Sequence, residues 1–464
     1  MQNITDYCKK EILPVLDRLW KDNGSLESFH YFEDTAYAFA MNETAGPAGP
    51  EVVVLGTGVP EVLLRAFRIP FRYLLGGSHS MTAYSDDLVP RDTDPVSRSV
   101  LGSVYASERI DPERTLFLIP VHSDSMRKIA YLLKEDGFRT FTLDIPPDHA
   151  DGRSVRQWED QLVMMADAVA AHTHKRLSLR GIRQAARSVS SARFRLSEFV
   201  RHTSGRCDAI TGSGRMLVRN SYFFAGDLDI WSRKLASLQQ ETAARAALCR
   251  PANCPRILLT GSPVFFPNYK VPFLIEDAGM TIEDCIDAST IMQEGFLRPE
   301  ALRSMRHALH VIADSSYRHE ASPAFVLNDA LMDAISAKIR GGRVEGVIFH
   351  ILKGQIEYDF ELERMTKMFE YYDVPVFRLE TDYQQQDVEQ LRIRLEAFCE
   401  MLTQARRSPG KILPDTAFGY ELPEEMPAFG KVIIRKADVY EQIQKDRHAR
   451  AGLRRDHGNC IFCL

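Results

Sequence analysis

The stretch RTLFLIPVHSDSMRKIAYLLKEDGFRTFTLDIP, residues 114–146, holds the pattern that decides the fold. Its two ends, RTLFLIPV and RTFTLDIP, are short apolar runs typical of buried strands. Between them, DSMRKIAYLLKEDG has its apolar residues at helical spacing. A strand, a helix and a second strand in this order predict a parallel βαβ unit.

The same alternation occurs on both sides of this unit. Because the strand runs are continuously apolar, they predict sheets that are covered by helices on both faces. We therefore predict an α/β fold with two doubly wound, Rossmann- or flavodoxin-like parallel-sheet domains. The remaining predicted strands are EVVVLGTG (51–58), FRYLL (71–75), RILLTG (256–261), MTIEDCI (280–286), VEGVIFHIL (344–352) and VPVFRLETD (374–382).

Long helical stretches are predicted at about 154–204 and 211–248, where they join the two domains. Their arginines are interpreted as a solvated or docking face, with an anionic cofactor or partner as the alternative. Residues 288–324 look irregular and are predicted to form a lid or cover. The predicted organisation is an N-terminal helical segment 1–50, a first α/β domain 51–180, a helical connector 181–254, a second α/β domain 255–405 and a C-terminal extension 406–464. The arginines are Arg176, Arg180, Arg183, Arg187, Arg193, Arg195 and Arg201.

Composition excludes several classes of protein. The chain has 464 residues, more than one hydrophobic core usually serves. A net charge of -5 argues against a nucleic-acid-binding role, which needs a basic face. We find no apolar run long enough to span a membrane, and the amphipathic opening helix (1–20) is not a secretory signal, so we expect a cytoplasmic protein. The eight cysteines are too sparse for a disulfide framework.

Small or polar loops follow four of the predicted strands and open a helix. In doubly wound sheets such loops line the ligand crevice, and free amides at helix N-termini favour anions there. The sequence thus predicts an anionic ligand held between the two domains. The Gly56-Thr57-Gly58 loop lacks the full dinucleotide pattern, which disfavours a nicotinamide dehydrogenase. The candidate binding residues are Gly56, Gly58, Ser262, Lys353 and Gly354.

Other polar residues suggest chemistry, each with a simpler alternative. His79, and His122 with Asp124, are candidate acid–base groups, although loop histidines are commonly solvated or structural. Asp86, Asp87, Asp92 and Asp94 could hold a hard cation, or could cap helices and face solvent. Two cysteine pairs, Cys249 with Cys254 and Cys460 with Cys463, are weak candidates for a metal site, and we predict no metal ligand set. Cys399 is predicted to fill the core.

Five segments together resemble a known family, the 2-hydroxyacyl-CoA dehydratase and benzoyl-CoA reductase subunits of the D-component type. The resemblance runs from about residue 50 to 405. Its most specific part is LETDY followed by LRIRLEAF. The segments are VPRDTDPVSRSVLG (89–102), PVHSDSMRK (120–128), RILLTGSPVFFPNYKVPFLIEDAG (256–279), VEGVIFHILKGQ (344–355) and VPVFRLETDYQQQDVEQLRIRLEAF (374–398).

The resemblance implies a subunit of an oxygen-sensitive enzyme that acts on CoA thioesters. In such enzymes an ATP-dependent activator protein delivers one electron, which a [4Fe-4S] cluster passes to the acyl-CoA. The ketyl radical that results allows dehydration, and related members reduce aromatic CoA thioesters. The family works as paired homologous subunits, so the resemblance also implies a sister subunit.

This chain departs from the family at the cysteines that hold the cluster. Asp94, Ser123, Ser262 and Gly354 stand at or near the positions where the resemblance places those ligands. Oxygen groups are poor replacements for thiolates on iron–sulfur irons. We therefore expect the fold and the CoA-type crevice to survive and the electron-transfer role to be lost.

Three functions remain open on the sequence alone. The first is a dehydratase-family subunit that binds an acyl-CoA or supports a cluster-bearing sister subunit. The second is a non-catalytic binding or assembly protein of the same fold. The third is an enzyme repurposed to acid–base or metal chemistry through Asp94, His122, Ser123 and Asp124.

Overall fold

The structure is a computed structural model that describes seven stretches of the chain. These are residues 7–41, 49–107, 110–148, 152–206, 208–248, 253–290 and 296–407. Residues 408–464 of the predicted C-terminal extension, with Cys460 and Cys463, lie outside the described residues, as does Cys249.

Two four-stranded parallel sheets form the frame of the molecule and confirm the predicted fold class. In the first sheet the strand order is β2-β1-β3-β4, and in the second it is β6-β5-β7-β8. Both orders follow the flavodoxin-like pattern, in which the chain crosses over after the first two strands. The strands are β1 (Glu51–Leu55), β2 (Phe71–Leu74), β3 (Thr115–Val121), β4 (Arg139–Asp144), β5 (Arg256–Gly261), β6 (Thr281–Asp287), β7 (Gly346–Leu352) and β8 (Val376–Thr381).

Fifteen α-helices surround the two sheets within the described residues. The predicted N-terminal helix is present as a π-helical turn, Cys8–Ile12, that leads into α1. The helices are α1 (Leu13–Asn23), α2 (His30–Ala40), α3 (Glu61–Ala66), α4 (His79–Thr82), α5 (Pro95–Ala106), α6 (Asp124–Glu135), α7 (Gly152–Thr173), α8 (Leu179–Thr203), α9 (Gly212–Phe224), α10 (Leu228–Leu248), α11 (Lys270–Asp277), α12 (Met305–His319), α13 (Asp329–Arg340), α14 (Glu357–Tyr371) and α15 (Val388–Arg407).

The central strands β1 and β3 of the first sheet are buried on both faces, as their apolar sequences require. On one face Val53 and Phe117 pack against α5 and α6. On the other, Val52 and Leu118 join a large core that also contains Leu259 of the second sheet. The two sheets therefore share one continuous hydrophobic core.

The helices α7 to α10 lie between the two sheets in the chain and contribute to this shared core. Helix α8 packs along both α10 and α3. Arg193 of α8 is buried and donates to Glu61 of α3, whose Oε2 also accepts from the Tyr222 hydroxyl at 2.6 Å. The assignment of Arg193 to a solvated face is therefore wrong, because its guanidinium pairs with a buried carboxylate. Domain boundaries near 180 and 255 remain a proposal.

The interpretation of 288–324 as irregular is wrong for α12, which occupies Met305–His319. The Ser304 hydroxyl accepts a hydrogen bond from the His307 amide and starts this helix. Its apolar residues Ala308 and Ile312 lie four apart and are fully buried, which places one face in the core. Residues 320–328, after α12, have no regular structure.

No helix in the described part of the chain combines the length and the apolar character needed to cross a membrane.

A buried lysine ties α11 to the chain that follows β8. The ammonium of Lys270 donates to Thr381 Oγ1 at 2.7 Å, to the carbonyls of Asp382 at 2.7 Å and Gln384 at 2.6 Å, and to Asp387 Oδ1 at 2.9 Å. Its side chain is only 2% exposed. Four acceptors converge on one cation, so they would lose their common donor if the charge were removed.

We predict that Lys270→Met lowers the free energy of unfolding by about 3 kcal/mol, because it leaves the Asp387 carboxylate and two carbonyls without their donor. The matched control is Lys353→Met. Lys353 is 59% exposed and pairs with Asp382, so its loss should cost under about 1 kcal/mol. Urea denaturation of both variants measures the difference. An equal decrease in the free energy of unfolding in the two variants would show that the buried Lys270 contacts stabilise the protein no more than the exposed Lys353–Asp382 pair does.

Candidate functional site at the domain interface

The carboxyl-end loops of the two sheets face each other and touch at several points. The Tyr383 hydroxyl donates to the carbonyl of Gly76 at 2.8 Å. Nδ1 of His122 lies 2.9 Å from the hydroxyl of Ser322. These contacts join the loops after β2 and β3 to loops of the second half of the chain. We call the place where these loops meet the inter-domain crevice, because folds of this kind bind ligands there.

Asp94 and Gly354 meet directly in this crevice. Asp94 caps α5 by accepting a hydrogen bond from the Ser97 amide at 2.9 Å, and the same oxygen lies 3.3 Å from Nε2 of Gln355. Gly354 has φ +86°, and a Cβ placed there would lie 2.8 Å from the carbonyl oxygen of Asp92. The two loops are thus packed backbone to backbone, and glycine is needed for that approach.

Both ring nitrogens of His122 are engaged. Nε2 lies 2.6 Å from the carbonyl of Thr57, which can only accept, so Nε2 carries the hydrogen. Nδ1 therefore accepts from the Ser322 hydroxyl. Burial lowers the pKa of His122, which keeps the ring neutral. His122 is placed to join the two halves of the crevice, and it has no free nitrogen for a substrate proton.

The neighbours of His122 serve the start of α6. The Ser123 hydroxyl accepts from the Met126 amide at 3.3 Å and caps the helix. Asp124 follows it in the first turn and is exposed. Carboxylates are favoured at this end of a helix, so both residues have a structural role at the rim of the crevice.

The glycine loop after β1 supports His122. A Cβ at Gly58, where φ is +104°, would lie 2.8 Å from the His122 ring. The amide of Gly56 donates to the carbonyl of Leu74 at 2.7 Å, so this amide is used within the first sheet. The close approach of Gly58 to an imidazole explains the glycine there.

Of the two remaining predicted binding residues, only Ser262 lies within the core of the second sheet. Its buried hydroxyl accepts from the Leu352 amide at 2.9 Å, and its amide donates to the carbonyl of His350 at 2.8 Å. Lys353 is exposed and pairs with Asp382 at 3.3 Å. Ser262 therefore links the ends of β5 and β7, while Lys353 faces solvent.

One carboxyl group of the second half, Glu357, responds to two aspartates of the first half. Burial raises the pKa of Glu357, at the start of α14, and the charges of Asp94 and Asp124 raise it further. Sequence analysis missed Glu357 because nothing in KGQIEYD shows that two aspartates of the first domain come near it. Gln355 and Ser322 were missed for the same reason, since each gains its role from a contact across the interface.

The other candidate residues of the sequence, His79, Asp86, Asp87 and Cys399, take no part in the contacts between the two halves described above. His79 is exposed, and its amide donates to Glu11. Asp86 pairs with Arg98. Across the described ranges, no three His, Cys, Asp or Glu side chains are grouped so that they could hold a metal ion. Cys399 is partly buried against the main core.

A [4Fe-4S] cluster does not fit these residues. Asp94 already caps its own helix, and Gly354 touches the Asp92–Asp94 backbone, so the space for a ligating side chain is filled. Cys285 is buried in β6, where burial raises the pKa of its thiol well above the ordinary value and its sulfur lies 3.5 Å from Asp287. Iron–sulfur irons need several thiolates, which this crevice does not supply.

The fold is that of two-domain, doubly wound α/β proteins, a class that binds its ligands between the carboxyl edges of the sheets. Comparison with known proteins is consistent with that class. Residues 57–402 match the family model described as 2-hydroxyglutaryl-CoA dehydratase, D-component, and the chain belongs to this family. It is also similar to a protein of Escherichia coli (strain K12) named "Putative dehydratase subunit YjiM", with 24% identity over 269 residues, 56% of this chain and 67% of that protein.

We predict that Gly354→Ala destabilises the protein more than Gly342→Ala does. Both glycines have positive φ, so each substitution should cost about 1–2 kcal/mol for backbone strain. Only at Gly354 does the new methyl group also meet another loop, which adds about 1–3 kcal/mol. Chemical denaturation of the two variants isolates the inter-domain contact. Equal destabilisation by Gly354→Ala and Gly342→Ala would mean that moving the Gly354 loop away from the Asp92–Asp94 loop costs no free energy.

Glu357→Gln should make the protein more stable at pH 8 than the wild type, with a smaller gain at pH 5. A carboxyl group whose pKa is raised by folding contributes stability at low pH and loses it as pH rises. The matched control is Glu363→Gln, an exposed position on the same helix, which should show little pH-dependent difference. A gain at Glu357 that does not grow with pH would contradict the proposed repulsion from Asp94 and Asp124.

Proposed function

We propose that this chain is a cluster-free subunit of a 2-hydroxyacyl-CoA dehydratase-type complex. It pairs with a homologous sister subunit that carries the [4Fe-4S] cluster and acts with it on an acyl-CoA. The observation that carries the proposal is the closed contact of Asp94 with Gly354 and Gln355. The chain keeps the two-domain frame of its family, yet at the positions that resemble the ligand sites it has helix caps and backbone packing.

An exposed apolar pair beside this contact supports association with a partner. Ile356 and Phe360 are 66% and 73% exposed, and they lie four residues apart at the start of α14. Large apolar side chains clustered on a surface are typical of protein–protein contacts. Because this pair lies next to Gln355, the proposal puts the contact with the sister subunit at the rim of the crevice.

The acid–base alternative is less favoured by the geometry. His122 is neutral and has both nitrogens engaged, and Ser123 is a helix cap. A nucleophile or base needs a free atom within reach of a substrate. The assembly-protein alternative differs from our proposal in a measurable way, because it needs no acyl-CoA. We place the complex in the cytoplasm, where an ATP-dependent activator protein could supply its electron.

The test is anaerobic purification of the full chain, alone and co-expressed with a cysteine-bearing homologue from the same organism. We expect the chain alone to carry no cluster, and the pair to co-purify with one four-iron cluster and to bind an acyl-CoA. The double variant Ile356→Ser/Phe360→Ser should lose the complex. Tyr131→Ser, which alters a 61% exposed residue on α6, should keep it.

Three results would overturn this proposal. A four-iron cluster on the chain alone that is lost on Asp94→Ala or Ser123→Ala would place the ligands where we exclude them. A cluster lost only on changing Cys249, Cys254, Cys460 or Cys463 would mean that it sits at another site. A stable complex that binds no acyl-CoA would favour the assembly-protein alternative.

A further inference from the structure

Residues 320–328, EASPAFVLN, form a segment that leaves the second half of the chain and lies on the first domain; we name it the lid segment. It connects α12 to α13. It has no helix or strand of its own, although the amides of Ala324 and Phe325 donate to Ser322 and the side chain of Asn328 donates to the carbonyl of Ala321. Its hydrogen bonds to other elements reach the loops that follow β3 and β4, at the carboxyl edge of the first sheet.

Two hydrogen bonds attach the lid segment to the first domain. The Ser322 hydroxyl donates to Nδ1 of His122, after β3. The Val326 amide donates to the carbonyl of Pro147, after β4, at 2.9 Å. Both bonds cross the domain interface, so they break together when the segment lifts.

The base of the segment is anchored on the same loop of the first domain. The hydroxyl of Tyr317, in the last turn of α12, donates to the carbonyls of Pro146 at 2.7 Å and Asp148 at 2.9 Å. Phe325 packs edge-on against the Tyr317 ring. The Tyr317 bonds thus hold the end of α12 on the loop after β4, and Phe325 joins the lid segment to that anchor.

Each end of the lid segment buries a polar atom for which the described residues offer no hydrogen-bond partner. These atoms are Oε1 of Glu320, at the C-terminal end of α12, and Oδ1 of Asn328, just before α13. Glu320 is 4% exposed and Asn328 is fully buried. A buried polar atom without a partner costs free energy that lifting the segment would recover, because water would then reach the atom.

The surroundings of Glu320 contain titratable groups but no cation that pairs with it among the described residues. On α12, the His319 ring binds the carbonyl of Ser315 and is exposed, and Tyr317 faces Pro146. On the first domain, His122 binds Ser322 and stays neutral. On α14, the buried Tyr358 shares a hydrophobic cluster with Ala321. Only the Ala321 amide favours the ionised form of Glu320.

We propose that the lid segment is a protonation-gated cover of the crevice, closed while the buried Glu320 carboxyl is neutral and released when that carboxyl ionises. Release breaks the Ser322–His122 and Val326–Pro147 bonds and opens the carboxyl edge of the first sheet to a ligand. This proposal does not depend on the function proposed above, because every group in it belongs to this chain.

The direction of the pH effect follows from linkage. Burial raises the pKa of Glu320 from its ordinary 4.5 to about 8. A group with a raised pKa in the closed state favours that state fully below its ordinary pKa and loses this effect as pH rises through the closed-state value. The closed lid is thus most stable at mildly acidic pH, opening grows up to about pH 8, and it levels off above that.

Hydrogen exchange measured by mass spectrometry on the full chain tests the proposal. After correction for intrinsic exchange, protection of the lid-segment amides should fall roughly fifty-fold from pH 6 to pH 8, with α12 and α13 unchanged. Glu320→Gln should remove this pH dependence. The matched control is Glu33→Gln, a change at another buried carboxyl with a raised pKa, on the distant helix α2, which should leave it intact.

A second variant keeps the test informative if Glu320→Gln fails to fold. Ser322→Ala removes the Ser322–His122 hydrogen bond. It should therefore lower the protection of the lid-segment amides from exchange at every pH, while the dependence of that protection on pH stays as in the wild type. The proposal is overturned if Glu320→Gln retains the wild-type slope. It is also overturned if the wild-type lid shows no slope, or if α12 and α13 lose protection in parallel with it.

Discussion

The contact of Gly354 with the Asp92–Asp94 loop is the constraint on which the inter-domain site depends. It brings a backbone from each domain so close that no side chain fits at position 354. Asp94 can then accept from Gln355 while capping its own helix. The same approach brings Glu357 near Asp94 and Asp124, so its pKa responds to residues of the other domain. The crevice is thus closed by polar contacts at positions that resemble the family's ligand sites.

The shared hydrophobic core holds the two sheets in the positions that allow the Gly354 loop to contact the Asp92–Asp94 loop. Helices α7 to α10 lie between the sheets in the chain, and the largest cluster of buried residues spans both halves. The buried Glu61–Arg193 pair joins α3 to α8, and such a pair is costly to break on one side only. The helical layer is thus fixed to the first sheet.

Much of the fold could be predicted from the sequence. The central strands β1, β3, β5 and β7 coincide with largely apolar runs, because a strand buried on both faces needs apolar residues along its length. The edge strands β2, β4, β6 and β8 carry more polar or charged residues. The long helices were predicted from the helical spacing of their apolar residues. Helix α12 was missed although Ser304 and its apolar spacing were visible, because the flanking residues look irregular. Arg193 was misplaced because charge alone does not reveal a buried partner such as Glu61.

The sequence by itself determined the strand–helix order, the family resemblance and the absence of cysteines at the expected ligand positions, because each of these is carried by residues close together in the chain. Only the tertiary structure decided what the site residues do. His122 meets Ser322 across 200 positions, and Asp94 meets Gln355 across 261. The burial of Glu320, and the neutral state it favours, likewise depend on packing against distant elements. Hydrogen bonds and desolvation act through space, so no local pattern of residues encodes them.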